Sequence, residues 1–570
     1  MDMRATMAGA TPAAGQGSAE RAGRHRAQWA AVWLLTGLTA AAYSLFALAR
    51  YYTFHTGSYD LVIFDQAVRS YAHFQPGISI IKGVHNGFGP HFSVLGDHWS
   101  PILASLAPLY WIYNNPQTLL VAQAVLFALA IPPLWLFTRR AFGGGQRAVI
   151  AAYLVSAVYV LSWPIAAALA YNFHEVAFAP VLTAVALERL QAGRLRTALA
   201  ALAALLLVKE DMGLLVAGIG LYLLVARPAV VARQRLVAAA IIAAGIADTL
   251  LATYVLIPAF GGRSGYYWAY TALGGNAGQA LQHLITHPAS SLQLLVTPRV
   301  KLTTVLWLFG AFCFLPLRSP ISLATIPLLL ERMLGSVFPA WWGTADQYNA
   351  FLVVVLVCAA VDGAARLARS PLLARWRAGP AAARSAGDGA AAASARDTRA
   401  AGGAADTTAA GGAGDTAAAG TAGRAVAATA DLGTVGLVCS VAMCAVALVL
   451  VPMFAFGSAL HPSFYRRDAR MNAAAAAVAA VPSGVTVEAV NHLGPQLSAR
   501  DPVLLWDGDG SSPLRPPWVV ADVVKKEFTF ASRGQQIRRV ALLRRSGYQI
   551  VFSRDGYLVM HRSDAGQAAG

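Results

Sequence analysis

The sequence predicts an α-helical polytopic membrane protein of about eleven transmembrane crossings, with a small C-terminal α/β domain. Three observations predict the membrane class. Apolar runs near the roughly 20 residues that a helix needs to cross a hydrocarbon core recur along the chain. Of 570 residues, 57% are hydrophobic and 12% charged, with a mean hydropathy of +0.53, a balance foreign to an aqueous globular protein. Charge is also sorted: arginines flank alternate ends of the apolar runs, and clustered Asp, Glu and His fall at the others.

The formal net charge of +17 does not describe a nucleic-acid surface. Its arginines stand beside apolar runs, at Arg21, Arg24, Arg26, Arg139, Arg140, Arg147, Arg194, Arg196, Arg227, Arg233, Arg235, Arg366 and Arg369, and act as topology signals. Cys313, Cys358, Cys439 and Cys444 all lie within apolar runs and read as small buried hydrophobes.

Residues 1–28 read as a disordered basic cytoplasmic tail, and 29–49 as the first crossing. Ala47-Leu48-Ala49 resembles a signal-peptide cleavage site, but the apolar run exceeds the roughly 7–15 residues of a secretory core, so a retained anchor is expected. An outer loop near 50–117 ends in an interfacial helix at 102–113. Crossings at 118–137, 148–168 and 176–187 bring the chain back to the arginines at 189, 194 and 196. Between Arg196 and Arg227, two short apolar runs flank Lys209-Glu210-Asp211 and predict a hairpin whose charged tip faces outward or into an outer cavity. Residues 236–257 exit, a second outer loop occupies 258–300, 302–317 enter, 321–338 exit and 349–361 return, completing a transmembrane domain over 29–369.

Residues 370–431 lack large apolar side chains and read as a disordered cytoplasmic linker; 432–456 form the last crossing. The remaining 457–570 are expected outside the cytoplasm as an α/β domain. Strands are predicted at 485–490, 503–506 and 518–520, a helix at 537–545, and a hairpin of 548–552 with 557–561 through Asp555-Gly556.

The outer segments hold the chemistry. Asp60 and Asp65 lie five apart, about 140° around a helix, and need not share a role. His91, Asp97 and His98 lack the spacing of a metal site, although a requirement for a divalent cation stays open. Asp248 falls mid-span and reads as packing glue, Glu331 and Arg332 as a pair, and Trp341 and Trp342 as headgroup anchors. Gly218-Ile219-Gly220 lies inside an apolar run and reads as close helix packing, so no dinucleotide fingerprint is present.

Asp65-Gln66 after the first span, with Asp97-His98 before the stretch ending Leu106-Ala107-Pro108-Leu109-Tyr110, resemble the GT-C superfamily of polytopic glycosyltransferases. Segments 59–66, 98–101, 172–175, 209–211 and 487–500 are similar, more closely, to DUF2079, a bacterial membrane family named as a domain of unknown function. The GT-C resemblance implies inverting transfer of a sugar from a polyprenyl-phosphate donor to an envelope glycan or glycolipid acceptor at the outer face of the bacterial plasma membrane. It makes Asp65 the general base, with Asp60 second. Asp97, His98, His174, Glu175, Lys209, Glu210, Asp211 and Gln347 are substrate-binding candidates, the cationic ones toward the phosphate leaving group. No metal ligand set and no certain cofactor is expected, and the partners are membrane lipid, the lipid-linked donor and the acceptor. Two alternatives stand beside it: a transporter or flippase for a lipid-linked precursor, and a non-catalytic envelope scaffold.

Overall fold

In hydrocarbon every backbone N–H and C=O must be satisfied within its own segment, so the apolar runs fold as helices. The computed structural model describes residues 13–227, 231–263, 265, 268–370, 413–508 and 514–563. Among them, six helices are long and apolar enough to cross a membrane: Ala22–Tyr52, Gln117–Ala141, Gln146–Tyr171, Gln234–Ala259, Gln347–Ala368 and Leu432–Met453. The shorter apolar helices Pro101–Ile112, Leu195–Leu205, Met212–Val225 and Val300–Gly310 accompany them. The expected total of about eleven full crossings is therefore not what the helix lengths give. Proline explains one shortfall: the predicted 321–338 crossing is a 3₁₀ segment, Pro320–Thr325, followed by the helix Ile326–Leu334, because Pro320 and Pro327 remove backbone donors.

Small residues set the closest helix contacts. A Cβ on Gly213 would lie 2.3 Å from the Gly245 carbonyl oxygen, and one on Gly245 would lie 2.3 Å from that of Gly213, so Met212–Val225 and Gln234–Leu251 meet backbone to backbone. Gly218 is pressed against Ala324 in the same way: a Cβ there would lie 2.4 Å from the Ala324 carbonyl oxygen.

Two boundaries differ from expectation. The first helix begins at Ala13, inside the predicted tail, and the last spans Ala413–Leu450, starting inside the predicted linker. Alanine has the highest helix propensity, so Ala-rich sequence extends both helices upstream of their apolar cores. Residues 371–412 of that linker and 1–12 of the tail lie outside the described residues.

The tail domain holds a five-stranded sheet: β1 (Val487–Ala489), β2 (Val503–Leu505), β3 (Trp518–Asp522), β4 (Gln549–Arg554) and β5 (Tyr557–His561). Its order is β2-β1-β3-β5-β4, with β1 parallel to β2 and β3, and β5 antiparallel to β3 and β4. Asp555 (φ 49) and Gly556 (φ 85) turn the β4–β5 hairpin, since positive φ at both central residues matches the strand twist.

The tail domain, through the start of β2 and residues just beyond the carboxyl ends of β1 and β2, grips the loop after the first helix. Asn491 takes hydrogen bonds from Ser58 and Tyr59, Asp507 pairs with His85 at 3.0 Å, and the Gln66 amide donates to the Val503 carbonyl at 2.9 Å. That loop is itself folded, through the helices Ser58–Ala72 and Ile80–His85 and a bridge between Ile78 and Ser93. Its end, predicted as an interfacial helix, is a 3₁₀ turn Pro101–Leu106 leading into Ala107–Ile112, with Trp111, Ile112 and Tyr113 exposed.

Candidate functional site

The helix Ser58–Ala72 is broken at its start. Asp60 has φ 76 and ψ −65, a conformation costly for any residue with a Cβ. Asn491 enforces it: its carbonyl accepts from the Ser58 N–H (2.6 Å) and hydroxyl (2.8 Å), and its side-chain oxygen accepts from the Tyr59 N–H (2.9 Å). The kink places Asp60 beside the Tyr171 hydroxyl and in electrostatic reach of Asp346 and Tyr348. Asn172, next to Tyr171, is also at positive φ (116).

Tyr348 in turn feels Lys209, the hub of a buried ionic network. Lys209 Nζ lies 3.4 Å from Glu175 Oε1, and Glu175 Oε2 lies 2.7 Å from His174 Nδ1. Burial opposes charge on Glu175, but His174 and Lys209 outweigh it and hold the carboxyl below the usual carboxylate range. Burial opposes charge on Lys209 as well, yet Glu175, Asp211 and Glu210 hold its ammonium well above its ordinary value. His98 Nδ1 is 2.7 Å from Glu210 Oε1, while the Trp99 N–H donates to Glu210 Oε2 at 3.1 Å. Burial would lower the His98 ring, but Glu210 and Asp97 bring it above the ordinary value; the same contact lowers Glu210 against its own burial. Asp211 is different. Burial, with Glu210 nearby and only partial relief from Lys209, pushes its carboxyl up to about 6. Glu331 faces these same acids.

Asp97 extends the network to a residue that sequence reasoning missed. Lys82, 2% exposed, sits 2.9 Å from Asp97 and 5.5 Å from the centre of the Tyr59 ring. As a lone lysine between the named groups of its loop it gave no signal. Tyr171, Asp346 and Tyr348 were also missed, although the last two flank Gln347, which was named. Gln347 is buried, and its Oε1 has no hydrogen-bond partner among the described residues.

Asp65 is placed elsewhere. It has no exposure, pairs with Arg69 at 2.9 Å, accepts from the Tyr110 hydroxyl at 2.8 Å and faces Ser498 of the tail domain. Burial raises its carboxyl against the pull of Arg69 and Tyr110. The kink at Asp60 thus puts one aspartate beside Tyr171, Asp346 and Tyr348, while the regular helix after it puts the other against Arg69, Tyr110 and Ser498.

Other expectations need correcting. Arg332 forms no close ion pair with Glu331 among the described residues; its guanidinium is taken up by the Trp341 and Tyr348 carbonyls, at 2.6 and 2.7 Å, and by Asn349 at 3.1 Å. Trp342 is no headgroup anchor: it is buried beneath Lys301, whose Nζ lies 4.6 Å from its ring centre and donates to three carbonyls. His91 is exposed. In the tail domain His492, Asp522 and Glu527 bring donor atoms within 4.8 Å of one another, but Asp522 is already bonded by Arg470 and by the Val524 and Lys525 N–H groups.

Residues 50–381, more than half of the chain and all of the Lys209 network, match the family described as predicted membrane protein (DUF2079). The chain belongs to the DUF2079 family. No curated protein matches it. Among solved structures, this DUF2079 chain is similar to ArnT from Cupriavidus metallidurans bound to undecaprenyl phosphate, at 13% identity and a TM-score of 0.43 over 92% of this chain and 97% of that one. A likeness that distant assigns neither fold nor activity.

Chemically, the DUF2079 site joins one carboxylate on a constrained turn to a buried set of two lysines and two histidines, each in contact with a carboxylate. Such a set can abstract a proton at one end and receive an anion at the other.

Proposed function

We propose that this DUF2079 protein is a glycosyltransferase that moves a sugar from a polyprenyl-phosphate donor to an envelope glycan or glycolipid at the outer face of the plasma membrane. The observation that carries the reading is Asp60, held by Asn491 in a strained turn at the edge of the Lys209 network. In the proposed step the Asp60 carboxylate takes the proton of the acceptor hydroxyl. The hydroxyl oxygen attacks the anomeric carbon from the side opposite the carrier, and the bond from that carbon to the phosphate oxygen breaks. The phosphate leaves with the electron pair, stabilised by Lys209, Lys82 and protonated His98. Glu175, oriented by His174, together with Glu210, Asp211 and Asp97 keeps those cations charged, and the free Oε1 of Gln347 accepts a sugar hydroxyl. Asp65, joined to Arg69 and Tyr110, anchors the helix that presents Asp60.

The arrangement of charge supports an outer site. Arg140, Arg227, Arg318, Arg366 and Arg369 stand at helix ends remote from Asp60, consistent with a cytoplasmic N-terminus and an extracytoplasmic tail domain.

The test is complementation of a deletion strain with mass spectrometry of its lipid-linked sugars. Asp60→Asn should leave the protein inserted with an unchanged melting temperature, while donor accumulates and transfer falls about 10²-fold or more. Normal product from Asp60→Asn, with loss only in Asp65→Asn of native stability, would return the base role to Asp65. A flippase is the second reading, favoured by Asp248, a mid-span carboxylate whose buried Oδ2 has no hydrogen-bond partner among the described residues. Donor moved between leaflets with no change in any glycan linkage would establish it instead.

A further inference from the structure

At the end of the helix bundle remote from Asp60, a cavity of about 790 Å³ is bordered by four arginines: Arg227, Arg318, Arg366 and Arg369. They arrive from three separate segments: the end of Met212–Val225, the 3₁₀ turn Leu315–Arg318, and the last turn of Ala350–Ala368 with the residue after it. One acid, Asp362, shares the cavity, and it accepts from Arg366 Nε and from the Ser319 hydroxyl, both at 2.6 Å. Arg227, Arg318 and Arg369 have no carboxylate partner among the described residues.

Topology sorting alone accounts for arginines at helix ends, but not for their convergence on one cavity with charge that no carboxylate among the described residues compensates. The neighbouring group shows the contrast: Arg140 and Arg189 share Glu188, at 2.8 and 2.6 Å, and neutralise it. The arginine cavity also has an apolar wall, including Phe137 and Ile321 at the ends of membrane-embedded segments. A ligand suited to it carries an anionic head with several acceptor oxygens and an apolar tail. Arginine forks bind phosphate in that manner, and basic pockets between transmembrane helices take phospholipid headgroups.

We propose that this cavity binds the phosphate headgroup of an anionic glycerophospholipid of the adjacent leaflet, its acyl chain lying along the Phe137 and Ile321 wall. Free phosphate shares the headgroup chemistry but not the tail. The full-length protein is placed in nanodiscs of phosphatidylcholine, with and without phosphatidylglycerol. Melting temperature is recorded, together with retained lipid by native mass spectrometry. Phosphatidylglycerol should raise the melting temperature and remain bound. In Arg318→Gln/Arg369→Gln its retention should fall tenfold or more and the stabilisation vanish; both residues are exposed, so the fold tolerates the change. Arg196→Gln/Arg235→Gln removes two exposed charges outside the cavity lining and should behave as wild type. Equal losses in the two double variants would overturn the proposal. So would an equal response to both lipids, or inorganic phosphate in detergent reproducing the whole shift.

Discussion

Lys209 and Glu175 illustrate how ionisable side chains persist inside a membrane protein: they are 6% and 0% exposed, where either ion alone costs several kcal/mol. Lys209→Met strands Glu175 with His174 as its remaining ion-pair partner, and a loss of about 3–5 kcal/mol is expected in unfolding measurements. Adding Glu175→Gln should recover part of that loss, so the double-mutant cycle gives a coupling of about 1 kcal/mol or more; simple additivity would show that the pair contributes nothing jointly. Residues of this network were legible in the sequence because charge is scarce in so apolar a chain, and His98, His174 and Lys209 stood out. The choice between Asp60 and Asp65 was not legible. It depends on a backbone conformation imposed by Asn491, 432 positions after its partner Tyr59, and no local pattern reports a contact of that range. Lys82 escaped for a related reason: its partner Asp97 is brought to it by tertiary folding.

At the scale of helices and strands, apolar periodicity and length sufficed for most elements, but their ends were set by residues whose effect is local. Pro320 and Pro327 shorten one predicted crossing, and alanine-rich sequence lengthens the last helix, so segment existence was clearer than segment extent. The Gly213–Gly245 contact is a sensitive point. Gly213→Val would force its added atoms into the facing carbonyl, and a destabilisation of about 1–3 kcal/mol or more is expected as a lowered melting temperature in detergent. In the sheet, Glu488 on β1 is 2% exposed, with Arg539 at 3.6 Å. Burial, aided by Asp507, pushes its carboxyl from 4.5 to about 7 despite Arg539. A raised carboxyl favours the fold when protonated: the contribution is full below pH 4.5 and is lost as pH rises through about 7, a change of order 3 kcal/mol. Glu488→Gln should flatten that part of the stability profile; an unchanged slope would assign it to another group.

For the whole molecule, the governing feature is the separation of two charged groups along the helix bundle: the buried network of carboxylates, imidazoles and lysines at one end and the arginine-lined cavity at the other. In a chain with its four native cysteines replaced by alanine, a cysteine at exposed position 91 should react with an impermeant maleimide in intact spheroplasts. A cysteine at exposed position 196 should react only after permeabilisation. The reverse pattern would invert the orientation and place the Asp60 site inside the cell. The grip of Asn491 on Ser58 and Tyr59 bears on biogenesis as well. A ribosome delivers Asp60 early and Asn491 hundreds of codons later, so the early loop has no template for its kink until the segment carrying Asn491 has been made. Under the proposed activity, competence waits for the residues around Asn491, and a chain stalled before them carries every membrane helix of the 50–381 region without the contact that shapes Asp60.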